Sequence, residues 1–258
     1  MSRFRSLLVL LAGLAALTGA ASAQNGPMDI VGLRLGMTES EATAALRAYS
    51  PALKVQVVRS AYGYTDGVKQ MSTPQFVSRI EGYLPSKVSQ GPNFIVLLTP
   101  PPQGGRVWAI ERRENAAGNP PTLDQYTQAL VQKYGKPSGV SRNGAAMVWE
   151  QPAGRPNCLK NPSDAGFPQY RPSADRDPHS HLEYAQKTRR APADLGQCAV
   201  TLNYVLGTSD GSVLGSFHAL LLDVATYAKA SAAASAEVRA LEDAARKGRA
   251  GQAQLPKL

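Results

Sequence analysis

The alternation of apolar and polar positions divides the chain into a plan that is written twice. Ile30, Leu33 and Leu35 alternate with polar or small neighbours and run into Gly36. A helix is expected to follow. Thr38 can accept from the backbone N–H of Glu41 while the Glu41 side chain accepts from the N–H of Thr38, which is a capping box. Ala42, Ala45 and Leu46 then recur at helical spacing. Further along, Thr122 and Gln125 repeat the box, and Ala129-Leu130 falls where Ala45-Leu46 did. Lys133, Gly135 and Pro137 are stop signals for that second helix. After each helix the period shortens from 3.6 to 2. Leu53 to Val58 alternates as a half-buried strand, Gln75 to Tyr83 is a weaker one, and Ser60 to Gln70 between them reads as a loop. Phe94 to Leu98 and Val107 to Ile110 flank a turn of Pro and Gly, Pro100 to Gly105, and form a hairpin. Ala145 to Glu150, Ala199 to Leu206 and Val213 to Leu222 are the later strands. Asp223 can cap a last helix, Val224 to Lys247, with an inward stripe of Val224, Tyr227, Ala228, Ser231, Ala234, Val238 and Leu241.

These elements define an α+β protein of two similar modules, each a helix packed on an antiparallel sheet, plus a long C-terminal helix. The expected organisation is a leader over 1–23, a first module over 24–118, a second over 119–248 and a disordered tail over 249–258. Residues 151–197 interrupt the second module. They carry seven prolines, few aliphatics and no periodicity, and irregular stretches of that length are functional or loosely ordered.

Composition places the chain outside the cytoplasm. Arg3 and Arg5 precede an apolar run from Leu7 to Leu17 and then Ala21-Ser22-Ala23, the layout of a secretory signal peptide cleaved after Ala23. The run is shorter than the roughly 20 residues of a membrane span, so no span is expected. No Cys follows the small-residue site, which argues against a lipid anchor. A soluble periplasmic or secreted protein is the expectation. Loss of the two leader arginines lowers the net charge from +9 to +7. That excess favours weak attraction to anionic envelope polymers, and no motif for reading nucleic acid is present. Cys158 and Cys198 form an even pair, which in an oxidising compartment bridges.

The pattern Gly36-Met37-Thr38-x-x-Glu41-Ala42, matched later by Lys133-Tyr134-Gly135-x-Pro137, resembles small exported bacterial proteins. It is similar to the tandem helix-plus-sheet modules of β-lactamase-inhibitor-like proteins and of the outer-membrane lipoproteins that assist barrel assembly. The resemblance implies the fold; such modules bind partners through differing sheet faces, and the lipobox Cys of the lipoproteins is absent here.

Reactive constellations are scarce. Gly-x-Ser-x-Gly, Cys-x-x-Cys, His-Glu-x-x-His and phosphate-cradling loops are all missing from the sequence, so no cofactor is expected. One concentration of ligand types stands in the insertion, where Asp175, Asp177, His179 and His181 alternate and would share one side of an extended backbone. Carboxylate and imidazole there suit Zn, Ni or Cu. Trp108 and Trp149 sit mid-strand, where core packing is the default and grip on a partner the alternative. Tyr62 and Tyr64 occupy the loop and hint at an interaction surface. The resulting expectation is a non-enzymatic periplasmic binding or scaffold protein with an envelope protein partner, acting through a sheet face or the disulfide-tied insertion. A metal-binding protein or metal-dependent hydrolase using the Asp/His cluster is the alternative.

Overall fold

The computed structural model describes residues 27–84, 93–116, 118–141, 144–158, 194–208 and 211–251. Its strands are β1 (Asp29–Ile30), β2 (Leu33–Arg34), β3 (Lys54–Ser60), β4 (Gly63–Thr65), β5 (Gln70–Ser72), β6 (Phe76–Tyr83), β7 (Phe94–Leu98), β8 (Val107–Asn115), β9 (Gly139–Val140), β10 (Ala146–Gln151), β11 (Val200–Thr208) and β12 (Leu214–Leu222). The helices are α1 (Glu39–Tyr49), α2 (Leu123–Tyr134) and α3 (Val224–Gly251). Eight strands make one antiparallel sheet in the order β3-β6-β7-β8-β12-β11-β10-β9, with β1–β2 and β4–β5 as separate two-stranded hairpins. The fold is thus α+β, dominated by a large antiparallel sheet and closed by a long C-terminal helix.

Local chemistry sets the helix starts. Glu41 N–H donates to Thr38 Oγ1 at 3.3 Å and Thr38 N–H donates to Glu41 at 2.8 Å. Thr122 and Gln125 repeat the pair at 3.2 and 2.9 Å. These bonds with Thr38 hold the Glu41 carboxyl below its ordinary range. α2 stops at Gly135, whose φ of 80° suits a residue without a Cβ.

Both faces of the sheet are covered at its centre, which is why β7 is buried at every position. On one face, Phe94, Val96, Ile110, Leu202, Tyr204 and Leu221 pack under Ala42 and Leu46 of α1, Leu130 of α2, and the β1–β2 hairpin through Ile30 and Leu33. On the other, Ile95, Leu97, Ala109, Leu220 and Leu222 pack under Val224 and Tyr227 of α3 and the Cys158–Cys198 pair. Those cysteines are disulfide-bonded across 40 residues of sequence.

A bulge decides how α3 is held. Leu98 pairs with Val107 and Leu97 with Ala109, so Trp108 is the extra residue. Two successive side chains, Trp108 and Ala109, therefore face the same side of the sheet. Trp108 stacks on Tyr227 with ring centroids 4.3 Å apart. Beside it, Asp223 N–H donates to Trp108 C=O at 2.8 Å, and Asp223 caps α3 by accepting from Thr226 N–H at 2.9 Å.

Three differences from the sequence reading stand out. Residues 60–70 are not an open loop: β4 begins inside them and pairs Gly63 with Ser72 and Thr65 with Gln70 of β5. The helix α3 continues to Gly251, past the expected end at Lys247. Its buried positions are Val224, Tyr227, Ala230 and Ala234; Val238 and Leu241, expected inward, are only half-buried because by then α3 has passed beyond the second core.

Candidate binding cleft

Beyond Ala234, α3 runs from the sheet centre toward the β4–β5 hairpin, and the two do not close. The space left is a cleft of about 240 Å³. Its α3 wall is Ala234, Glu237, Val238 and Leu241, one side of the helix at spacings of three and four. Facing it are Tyr62 and Thr73 from the ends of the hairpin, and Phe76 at the start of β6. Pro101, from the β7–β8 connection, forms the end.

Each wall is positioned locally. Tyr62 N–H donates to Thr73 Oγ1 at 3.0 Å and Thr73 N–H to Tyr62 C=O at 2.9 Å, so the hairpin base is pinned and the Tyr62 ring lies 5.3 Å from that of Phe76. The hairpin tip turns on Asp66, whose carboxylate accepts from the N–H groups of Val68 and Lys69 at 2.8 and 2.6 Å. Those two bonds, Lys69 first, hold the Asp66 carboxyl below its ordinary range, and the Arg249 guanidinium adds to the effect. Arg249 donates to Asp66 at 3.3 Å and ties the far end of α3 to the hairpin. Pro101 is placed by a tight return of the chain. A Cβ on Gly104 would stand 2.7 Å from the backbone of Pro100 and Pro101, so only glycine allows that approach.

Two other polar clusters flank the central strands. On the α3 side, Glu111 is 1% exposed; it accepts from Arg113 Nε, and His218 Nε2 stands 2.6 Å away. In the same cross-strand row, Glu111 pairs with Leu220 and Leu220 with Asn203, whose amide is buried without a hydrogen-bond partner among the described residues. On the α1–α2 side, the Arg112 guanidinium lies 4.9, 5.7 and 4.8 Å from the ring centres of Tyr49, Phe94 and Phe217. It pairs with Glu114 and donates to Tyr49 at 2.8 Å. Burial opposes the Arg112 charge, but Glu114 and Tyr49 outweigh it and hold the charged form more firmly than usual. Burial also raises the phenols beside it, Tyr134 to about 12, with Tyr126 and Tyr204 likewise pushed up. Both clusters are woven into the sheet by their own ion pairs, whereas the cleft is open and apolar.

The residues singled out from sequence divide accordingly. Tyr62 lines the cleft and Tyr64 lies half-buried on β4. Trp108 and Trp149 are core residues, 2% and 4% exposed; the first is spent on Tyr227, and the second donates from its indole to Gly135 C=O at 2.9 Å. Asp175, Asp177, His179 and His181 lie outside the described residues, as does the leader segment. Among the described residues no group of three or more His, Cys, Asp or Glu is placed to hold a metal ion, and no helix is long and apolar enough to cross a membrane. Phe76, Pro101 and Glu237 were not anticipated as site residues. Comparison of the chain with protein-family models, curated proteins and solved structures finds no match.

Proposed function

We propose that this chain is an exported, non-enzymatic binding or scaffold protein of the cell envelope, and that it engages a protein partner through the cleft between α3 and the β4–β5 hairpin. The observation that carries this reading is a preformed apolar cavity walled by four separate segments, with Tyr62, Phe76, Val238 and Leu241 left partly exposed in it. Isolated apolar residues on a surface need no explanation, but a concave group of them marks a contact site. Export is supported by the leader-like N-terminus and by the Cys158–Cys198 disulfide, which fits an oxidising compartment. A two-module origin is supported by the strand order. Each capped helix precedes strands that run from one edge of the sheet to its middle, where β8 of one half pairs with β12 of the other.

A photo-cross-linking residue at Val238 tests the reading against one at the neighbouring, solvent-facing Arg239. The expected result is a discrete adduct from position 238 that disappears when Leu241→Trp fills the cleft. Equal labelling from both positions, or adducts indifferent to Leu241→Trp, would remove the cleft from consideration.

A further inference from the structure

We infer that the cleft takes one bulky apolar side chain from a partner protein, and that the residue beside that anchor is Lys or Arg. This rests on the cleft being the binding surface. Its volume of about 240 Å³ falls below the roughly 300–1,000 Å³ of sites that enclose a whole drug-sized ligand. One aromatic or aliphatic side chain fills it, and the rest of the ligand stays outside. The neighbouring charge follows from Glu237. It is the charged residue of the lining, exposed at the rim one position before Val238. Of the other acids near this end of α3, Glu242 accepts from Arg246 at 2.6 Å and Asp66 from Arg249 at 3.3 Å, and Asp243 is not part of the lining. Glu237 has no ion-pair partner among the described residues, so an incoming cation meets a carboxylate that need not be released first. The net charge, +9 for the whole chain and +7 without Arg3 and Arg5, opposes a cationic partner at long range. Screening over roughly 8 Å at physiological salt leaves the local contact in control.

Two synthetic peptides decide the matter, Ac-Gly-Phe-Arg-Gly-NH2 and Ac-Gly-Phe-Glu-Gly-NH2, titrated into the purified chain with amide chemical shifts as the readout. Both are expected to shift the amides of α3 around Val238 and Leu241 at millimolar concentration. The Arg peptide should bind about two- to five-fold more tightly at low salt, the range of one exposed ion pair, and the gap should vanish at high salt or in Glu237→Gln. Leu241→Trp should abolish both titrations, with Val238→Lys as a second blocking variant should the first not fold. Equal affinity for the two peptides, or a preference that survives Glu237→Gln, overturns the cationic requirement while the cleft stands. Absence of any shift at the cleft, or shifts unaffected by both blocking variants, overturns the cleft itself.

Discussion

Replacing Trp108 by Ala should release α3 from the sheet, and the size of the effect follows from the contacts of that side chain. Trp108 is 2% exposed and its ring lies flat on Tyr227, itself 8% exposed. Large-to-small substitution of a buried aromatic costs about 3–5 kcal/mol. Of this, about 1 kcal/mol is ring–ring geometry beyond simple burial. Only four positions of α3 are buried, and two of them, Ala230 and Ala234, are alanines that bury little area. Val224 and Tyr227 therefore carry most of the anchoring, and Trp108 is what Tyr227 rests on. Trp108→Ala should lower the unfolding free energy by about 3–5 kcal/mol in urea titrations followed by circular dichroism. It should also abolish amide-exchange protection in the first turns of α3, while α1 and α2, on the opposite face, keep theirs. Trp108→Phe, which preserves a ring, should cost less than half as much. A loss under about 1 kcal/mol, with α3 still protected, would refute the idea that one bulge-directed ring holds this helix.

Other perturbations probe different parts of the same architecture. The β1–β2 turn places Val31 at φ 48° and Gly32 at φ 87°, a conformation that strains a β-branched residue and suits Asn-Gly. Val31→Asn should stabilise by about 0.5–1 kcal/mol, and a measured destabilisation would mean that packing of Val31 on the first core outweighs the strain. Opening the Cys158–Cys198 bridge by a double Ala substitution frees a 40-residue loop and should cost roughly 4 kcal/mol in the chain-entropy picture; an unchanged denaturation midpoint would contradict it. Burial raises Tyr134 from 10.0 to about 12, so the folded chain keeps a proton that the unfolded chain loses. The contribution of this group should be level below pH 10 and fall by up to about 1.4 kcal/mol per pH unit as pH rises toward 12. Tyrosinate absorbance and unfolding followed together would check this, with Tyr134→Phe making the slope shallower while Tyr126 and Tyr204, also raised by burial, keep their share.

The parts of the fold that were legible in the sequence are those whose cause is local. Each capping box needs only residues i and i+3, and Thr38/Glu41 and Thr122/Gln125 formed as read. The alternation of Val200 to Leu206 likewise reports one strand and its two faces. Sheet order is not local. Nothing in the periodicity of Val107–Asn115 or Leu214–Leu222 says that these strands pair with each other and join the two halves. The β4–β5 hairpin escaped notice because three-residue strands are too short to show a period. Its one signal was Asp66-Gly67, a dipeptide strongly favoured in hairpin turns.

The cleft was hidden for a related reason. A period-2 reading of β8 sends Trp108 and Ala109 to opposite faces, and the bulge that puts both under α3 is set by where Leu97 and Leu98 find their partners. That single extra residue fixes where α3 is anchored. Starting from Trp108, the helix is long enough to leave the core and reach Asp66, at about 1.5 Å per residue over 28 residues. The cavity forms in the interval because its helix wall, from Ala234 to Leu241, faces only the start of β6 and the ends of the β4–β5 hairpin, which do not fill the space. Val238 and Leu241 continue the apolar stripe of a core helix, so the sequence marked them as inward, whereas they stay half-buried and line the cleft. What lies opposite them is Tyr62, Phe76 and Pro101, contributed by three segments that no spacing rule connects. A stripe that outruns its core is thus readable in one dimension, and the site it creates becomes readable only when the partners across it are known.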